Sequence, residues 1–201
     1  MGRHQFKIIA SEANDSYSAE IGRARILHDS AQILLDKMET RSATLDDVPN
    51  LCALLKLLFE QEDEFSANYL RQETGLKLIL ENPFYGQIIV GCVEGEIVGM
   101  ANLLYTVSTF MGKKVAILED MVVSPEHRRK GFGDIILNAA ILHAHDAGCG
   151  RITLLTDSAN HSAIKFYERS GFAKSTMTPL RIILDENHTD LPSATENEQV
   201  C

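Results

Sequence analysis

The sequence predicts one domain of the α/β or α+β class, in which helices cover both faces of a mixed sheet. Two observations support this class. Segments with the period of strands and segments with the period of helices follow one another in the order β-α-α-β-β-β-α-β-α-β(β). The chain has 201 residues, of which 45% are hydrophobic, and this is enough for one packed core.

The N-terminal half of the chain predicts three helices and one strand. Residues 17 to 39 carry apolar residues at helical spacing, which favours an amphipathic helix. In RSATLDDVPNLCALL a short strand turns into a second helix, for which Thr44 is the expected N-cap. The buried stripe of that helix is predicted to consist of Leu51, Leu54, Leu55 and Leu58. A further helix is expected near residues 67 to 80.

The C-terminal half combines strands with two helices. Two strands flank a turn at residues 94 to 96 in YGQIIVGCVEGEIVGMANLLYTVS, and KKVAILEDMVV predicts the next strand. A helix from about 132 to 147 and the strand RITLLTD follow. A last helix in NHSAIKFYERS is expected to end at Gly171, and FAKSTMTPLRIIL is expected to supply one or two terminal strands.

The composition argues against several classes of protein. The formal net charge of −9 disfavours a nucleic-acid-binding surface. The apolar runs are far shorter than the roughly 18 residues of a membrane span. The N-terminal MGRHQFKIIASEANDS has neither the apolar core nor the cleavage site of a signal peptide. Four scattered cysteines predict free thiols in a reducing compartment. We therefore expect a cytoplasmic protein without membrane or nucleic-acid partners.

Three regions are expected along the chain. The core domain is predicted to span residues 38 to 184. Residues 1 to 37 are predicted to be an N-terminal extension that is helical or partly disordered, and it could arise from a start codon upstream of Met38. Residues 185 to 201 contain five acidic residues and no Lys or Arg, which predicts a disordered tail.

A basic loop with two glycines precedes the helix predicted near residue 132. EHRRKGFGDIIL lacks the third glycine of a dinucleotide-binding fingerprint, because Ile136 stands there, and the chain contains no P-loop pattern. What remains is Arg128-x-x-Gly131-x-Gly133 between a strand and a helix. Glycines permit close backbone approach, and the N–H groups at a helix N-terminus attract anions. The loop alone therefore predicts either a phosphate site or an exposed basic turn.

A second motif, 27 residues after Gly133, favours the phosphate site. The pattern N-x-x-A-x-x-F-Y-x-x-x-G-F in NHSAIKFYERSGF is formed by Asn160, Ala163, Phe166, Tyr167, Gly171 and Phe172. Together with LEDMVVSPEHRRKGFG, this motif resembles the GNAT superfamily of acyl-CoA-dependent N-acetyltransferases over about residues 40 to 184. The resemblance implies a single GNAT-like domain with a mixed, mostly antiparallel sheet and a V-shaped splay between its central strands.

The resemblance also implies a site for acetyl-CoA and no metal. Backbone amides of about residues 129 to 134 would cradle the pyrophosphate, and residues 121 to 123 would pair with the pantetheine amides like an added strand. Asn160 would hydrogen-bond the pantetheine arm. The expected cofactor-binding residues are Met121, Val122, Val123, Arg128, Arg129, Lys130, Gly131, Phe132, Gly133, Asp134 and Asn160.

Acetyl transfer to an amine needs a proton acceptor and a proton donor. By the resemblance, Tyr167 is the general acid that protonates the departing thiolate; its alternative role is that of a core tyrosine beside Phe166. Glu119 is the expected base, since several family members have an acid at this place, and its alternative is an exposed strand residue. An acid in the apolar KVAILEDMVV is costly to bury without a purpose. Glu119 and Asp120 are consecutive in a strand, so only one of them is expected to enter the cleft.

Two other clusters have weaker functional interpretations. His143 and His145 are two residues apart on a helix and do not share a face, which argues against a metal site. The acids after the first core helix are expected to form a solvated loop, or to favour a cationic acceptor if they face the slot. These acids are Glu60, Glu62, Asp63 and Glu64.

These features favour an acetyl-CoA-dependent N-acetyltransferase that transfers its acetyl group directly to a primary amine of a small molecule. ENPFYGQIIV and VAILEDMVV resemble segments of diamine and polyamine acetyltransferases, so such an acceptor is one alternative, and a protein amine is another. A non-catalytic acyl-CoA-binding sensor on the same fold is the alternative from a different class; the presence of both Glu119 and Tyr167 argues against it. Family members often dimerise through sheet edges, so a homodimer is compatible with the sequence.

Overall fold

A computed structural model describes residues 37–60 and 67–184 of the chain. The predicted acidic tail, residues 1–36 of the predicted extension and the acids at 62–64 lie outside the described residues. Met38 and Glu39, which the sequence predicted as the end of an N-terminal helix, lie in a strand instead. Their pairing with Val93 and Cys92 in the neighbouring strand satisfies the backbone there and excludes helix at these two positions.

Five strands form one sheet in the order β1-β2-β3-β4-β5. The strands span Met38–Ser42 (β1), Gly86–Val93 (β2), Glu96–Ser108 (β3), Lys113–Val123 (β4) and Ile152–Leu154 (β5). Strands β1 to β4 pair antiparallel with their neighbours, whereas β5 pairs parallel with β4. The mixed, mostly antiparallel sheet of a single domain is therefore confirmed.

Helices cover both faces of the sheet, as predicted. The helices span Val48–Phe59 (α1), Tyr69–Glu81 (α2), Phe132–Asp146 (α3) and His161–Arg169 (α4). Alternate residues of β2 point to opposite faces of the sheet: Ile88 packs with α1 and α2, and Ile89 packs with α3. The predicted stripe of α1 is buried at Leu51, Leu54 and Leu55. Each face of the sheet thus has its own apolar core.

A buried carboxylate fixes the turn into α1. Thr44 caps a 3-10 turn at Leu45–Asp47, directly before α1. Asp47 accepts a hydrogen bond from the Thr44 N–H at 2.8 Å, and Arg41 of β1 donates to both carboxylate oxygens at 2.7 and 2.9 Å. The Arg41 guanidinium holds the pKa of Asp47 well below its usual range, at about 2. The pair ties β1 to the start of α1.

A bulge interrupts β4 near the centre of the sheet. Asn102 of β3 pairs with Asp120 and Leu103 pairs with Leu118, so Glu119 is an extra residue in β4. The pairing of β4 with β5 also ends at Leu118. Beyond this point, no strand of the described chain lies beside that edge of β4. This separation is the V-shaped splay that the resemblance implied.

The prediction of terminal strands was wrong. FAKSTMTPLRIIL was expected to contain one or two strands, but residues 173–184 form none, and apolar side chains such as Leu180 and Ile183 are exposed. Strand β5 is also shorter than the predicted RITLLTD, because only its three residues pair with β4. Apolar and β-branched residues favour a strand only where a neighbouring strand offers hydrogen-bond partners. A three-residue β5 offers few of them.

Candidate active site

The splay leaves an edge of β4 open beside the loop that precedes α3. Met121 packs with the core under α3, while Val122 is buried on the opposite face with α1. Since these side chains occupy the two faces of the sheet, the backbone groups of residues 121–123 lie in its plane, and those of alternate residues point away from β3 into the splay. An extended ligand that carries amide groups can pair with such an edge like an added strand.

The loop ends in a helix N-terminus without a side-chain cap. Gly131 is the N-cap of α3, with a φ of 87°, and as a glycine it has no side chain with which to cap this end. The N–H groups of Phe132, Gly133 and Asp134 therefore have no acceptor within the helix. Arg129 also has a positive φ, of 59°. A turn of this kind presents N–H groups to one concave surface, which suits an anion such as a phosphate.

The three cations of the loop are placed differently. The half-buried Arg128 donates from Nε to the backbone carbonyl of Val123 at 2.8 Å, so its side chain holds the loop against the end of β4. Arg129 and Lys130 are exposed, where they contribute a general attraction for anions. Arg128 thus positions the loop in addition to adding a charge.

The histidine of the loop has a structural contact. Nδ1 of His127 lies 2.8 Å from Oγ of Ser124, and its ring packs edge-on against Phe132 with centroids 5.3 Å apart. His143 and His145 both lie on α3. Within residues 37–60 and 67–184, no three His, Cys, Asp or Glu side chains are grouped so as to hold a metal ion.

Gly133 lies where the loop, β4 and α4 meet. A Cβ added at Gly133 would lie 3.5 Å from the ring of Phe166 and 3.9 Å from the terminal methyl group of Met121. These distances are ordinary van der Waals contacts, so the folded chain has space for a methyl group there. Packing therefore does not require the glycine. Gly133 thus lies between the helix N-terminus and the end of β4.

Asn160 begins α4 and caps it. Its Oδ1 accepts a hydrogen bond from the Ala163 N–H at 3.0 Å. Because Oδ1 is used in this way, Nδ2 is the group with which this exposed side chain can donate to a ligand. The cap also restricts the orientation of the amide, which is useful for a binding group.

Tyr167 is held between two phenylalanine rings. The ring centroid of Tyr167 lies 5.1 Å from that of Phe166 and 5.7 Å from that of Phe172, both in edge-to-face geometry. The hydroxyl makes no hydrogen bond to the described part of the chain. Burial raises the pKa of Tyr167 above its ordinary value, which keeps the hydroxyl protonated at neutral pH. The ring thus packs as a core residue while the hydroxyl remains available as a donor.

The bulge changes the expected relation between Glu119 and Asp120. Their placement on opposite faces assumed regular alternation, and the extra residue removes that alternation. Glu119 is exposed, whereas Asp120 is half-buried and accepts a hydrogen bond at Oδ2 from Nδ2 of Asn102 at 3.0 Å. Burial raises the pKa of both carboxyl groups, and the charge of Asp120 raises that of Glu119 further. Strand alternation therefore does not decide which of these acids enters the site; of the two, Asp120 lines a neighbouring cleft.

A cleft of about 250 Å³ lies between α1, α2 and this part of the sheet. It is lined by Leu55, Phe59, Arg71, Gln72, Gly75, Leu76, Ile79, Asn102 and Asp120. Asn102 and Asp120 form a polar floor, and the leucine, isoleucine and phenylalanine side chains form apolar walls. Oδ1 of Asn102 and Nε2 of Gln72 are buried without a hydrogen-bond partner among the described residues. Buried polar groups nearly always have a partner, so these two atoms point to a polar occupant of the cleft.

Asn102, Asp120 and Gln72 were not predicted as site residues from the sequence. A signal for Asp120 was present, because the cost of burying an acid in an apolar strand applies to it as much as to Glu119. Asn102 likewise interrupts an apolar strand. The local pattern of α2 does not distinguish Gln72 from a solvated helix residue.

Comparison with known proteins assigns this arrangement to a family. The family model described as the acetyltransferase (GNAT) family matches residues 50–172, which is more than half of the chain. The chain belongs to the GNAT acetyltransferase family. This GNAT protein is 33% identical to the uncharacterized N-acetyltransferase YhfO of Bacillus subtilis over 142 residues, which cover 69% of this chain and 92% of that protein.

A second relative and a solved structure agree with this assignment. The thialysine N-epsilon-acetyltransferase of Bos taurus is 29% identical over 140 residues, which cover 65% of this chain and 81% of the relative. The integron cassette protein HFX_CASS3, from the mobile metagenome of Cole Harbour Salt Marsh, superposes with a TM-score of 0.66 at 25% identity. That match covers 76% of this chain and 93% of the other.

Membership of the GNAT family makes this chain an acetyltransferase enzyme, and the family generally uses acetyl-CoA as its co-substrate. GNAT acetyltransferases act on amine groups of small molecules or of proteins. In the part of the chain that the structure describes, no helix combines the length and the apolar character needed to span a membrane.

Proposed function

We propose that this GNAT enzyme transfers an acetyl group from acetyl-CoA directly to the primary amine of a small molecule. The observation that carries the proposal is the cleft beside β4, with Asp120 and the unpartnered Oδ1 of Asn102 at its floor. A carboxylate and a carbonyl oxygen accept hydrogen bonds, as a protonated amine requires. The cleft reaches β4 at the bulge, which is also where the splay begins. Amine and thioester would therefore meet at Glu119 and Asp120.

Three features support acetyl-CoA as the co-substrate, which supplies an acyl thioester when bound. The uncapped amides of residues 131–134 suit its pyrophosphate. The open edge at residues 121–123 suits the amides of its pantetheine arm. Gly133, at the helix N-terminus and close to Met121 of β4, lies between these two places. The binding residues implied by the sequence keep their proposed roles, with Arg128 acting partly through the Val123 carbonyl.

The two carboxyl groups have separate roles in this proposal. Asp120, half-buried and fixed by Asn102, accepts hydrogen bonds from the incoming ammonium group. Glu119, exposed at the bulge, takes the proton that the ammonium group must lose and passes it to water. Its raised pKa lies closer to neutral pH than that of an ordinary glutamate, and a general base is most effective there.

Tyr167 serves the leaving group. As the amine nitrogen bonds to the acetyl carbon, the nitrogen releases a second proton to water, the bond between that carbon and sulfur breaks, and the Tyr167 hydroxyl donates its proton to the sulfur. The raised pKa of Tyr167 favours its protonated form before transfer. Solvent then returns a proton to the phenolate oxygen.

The size of the cleft and one relative support a small acceptor. A volume of about 250 Å³ suits a molecule of amino-acid size more than a protein segment. The Bos taurus relative is named for acetylation at the N-epsilon of thialysine, which is an amino acid with a terminal amine. Both observations favour a small amine over a protein amine.

The proposal is tested by acetyl-CoA turnover with a panel of amino acids, diamines and a lysine-containing peptide. Asp120→Asn should raise the acceptor KM by about tenfold or more, because it removes the charge that pairs with the ammonium group. Glu119→Gln should instead move the rate optimum to higher pH, since the amine must then lose its proton to solvent. Asp146→Asn, an exposed site on α3, is the matched control. Failure of every small amine alongside turnover of the peptide would contradict the proposal.

Stability gives an independent measurement on Asp120. Its pKa is raised in the folded chain by burial, so ionisation of Asp120 costs folding free energy as pH rises through that raised value. Asp120→Asn removes this cost and keeps an oxygen that can accept from Asn102. The free energy of unfolding at neutral pH should therefore stay constant or rise while activity falls. A marked loss of stability would identify Asp120 as a structural residue.

A further inference from the structure

The two sides of the cleft offer opposite hydrogen-bonding groups. The sheet provides acceptors, namely the carboxylate of Asp120 and the unpartnered Oδ1 of Asn102. Helix α2 provides donors, namely the buried Nε2 of Gln72 and the guanidinium of Arg71. Since Nε2 of Gln72 has no partner among the described residues, the amine-binding role of the floor leaves this donor unexplained.

The α2 wall of the cleft is positively charged. Arg71 is a permanent cation, and Gln72 presents an N–H group beside it. The nearest acid in sequence, Glu73, is paired with Lys77 at 2.8 Å on the same helix. A second ammonium group at this wall would meet donors and a positive charge, whereas a carboxylate would meet complementary groups.

We propose that the acceptor carries a carboxylate in addition to its primary amine, and that Gln72 and Arg71 bind this carboxylate. This inference rests on the proposed function and specifies the substrate class of the same cleft. The acceptor is then an amino acid whose ammonium group lies on Asp120 and whose carboxylate lies on α2. The apolar side chains between the two ends, such as Leu76 and Ile79, pack against its methylene groups.

The test uses pairs of amines that differ only in the carboxylate. L-ornithine is compared with 1,4-diaminobutane, and L-lysine with 1,5-diaminopentane, in both turnover and calorimetric binding. A site that hydrogen-bonds a group discriminates strongly against the analogue that lacks it, so kcat/KM should favour one or both amino acids over their diamines by about tenfold or more.

Variants of α2 assign this preference to individual side chains. Gln72→Glu is nearly isosteric and replaces the donor by a negative charge, so it should lower kcat/KM for the amino acid by about tenfold or more and leave the diamine unchanged or improved. Arg71→Gln should act in the same direction. Lys113→Gln removes the same charge from the exposed start of β4, outside the cleft, and should leave the preference intact.

The outcomes separate the inference from the proposed function. Diamines that are acetylated as well as the amino acids, or a Gln72→Glu variant that affects both members of a pair equally, would overturn the carboxylate site and leave amine acetylation standing. Preferential binding of amino acids without acetylation, in the presence of saturating acetyl-CoA, would support the carboxylate site and refute the proposed function.

Discussion

Substitution of Gly133 by alanine should separate folding from cofactor binding in this chain. The added Cβ would lie 3.5 Å from Phe166 and 3.9 Å from Met121, so it meets no clash in the ligand-free protein. Gly133 is the second residue of α3, and alanine loses less conformational entropy than glycine on entering a helix. We expect the free energy of unfolding to rise by up to about 1 kcal/mol.

Coenzyme A binding should change in the opposite direction. A ligand atom needs about 3.5–4.0 Å from each carbon that it contacts. The new Cβ is attached within the turn of amides that would hold the pyrophosphate, and Phe166 and Met121 already lie at contact distance from it, so it cannot move out of the way of an approaching phosphate. We expect the affinity for coenzyme A to fall at least about tenfold, which is about 1.4 kcal/mol. Gly133→Val should weaken binding further.

Calorimetric titration with coenzyme A and urea denaturation measure the two effects on the same preparation. Gly75→Ala is the matched control, because Gly75 lies within α2 and has no atom within 4 Å of its added Cβ. It should stabilise the chain without changing the affinity for coenzyme A. An unchanged affinity in Gly133→Ala would show that the cofactor does not pass beside Gly133. A destabilised Gly133→Ala would refute the packing argument.

Three further predictions concern catalysis, stability and the domain boundary. Tyr167→Phe should bind acetyl-CoA normally while kcat falls by roughly 10²–10⁴-fold, and an unchanged rate under rate-limiting chemistry would leave Tyr167 with a packing role only. Asp47→Asn should lower the free energy of unfolding by about 2 kcal/mol at neutral pH. Folding lowers the pKa of the Asp47 carboxyl from 3.8 to about 2, and each pKa unit corresponds to about 1.4 kcal/mol; the exposure of Arg41 reduces the total. The Asp47 contribution is present above about pH 4 and is lost as pH falls towards 2, so urea denaturation at several pH values should show the two proteins converging in acid. A chain that begins at Met38 should have a free energy of unfolding within about 2 kcal/mol of that of the full chain. A larger loss of stability would show that residues 1–37 belong to the domain.

The sequence predicted most helices and strands of this fold because their signals are local. The leucine stripe of α1 is recognised by its helical spacing. The end of α4 is recognised by Gly171, which follows the helix. The terminal strands failed because pairing is not local: Ile182 and Ile183 have strand-like side chains but lie exposed, without a ladder. Strand propensity identifies residues that can adopt a strand, but a strand forms only where a neighbouring strand offers backbone hydrogen bonds.

The site was predictable where a short motif determines its geometry. Gly131 has the positive φ that its position before α3 suggested. The cleft was not predictable in the same way, because Gln72 and Asp120 lie far apart in sequence and only the packing of α2 on the sheet brings them together. The bulge at Glu119 is also hidden, since LEDMVV contains no glycine or proline that would indicate an irregular ladder.

The bulge has a consequence for which length changes β4 can tolerate. Leu118 already faces the same core as its partner Leu103, and Asp120 already faces the same side as its partner Asn102. Loss of Glu119 would therefore restore a regular ladder, whereas loss of Leu118 or Asp120 would put Glu119 in the buried position of Leu118 or at the cleft floor in place of Asp120. Among the residues of β4, Glu119 is thus the one that the sheet could lose over evolutionary time. The pairing of β3 with β4 therefore does not require Glu119, whereas the proposed proton transfer does.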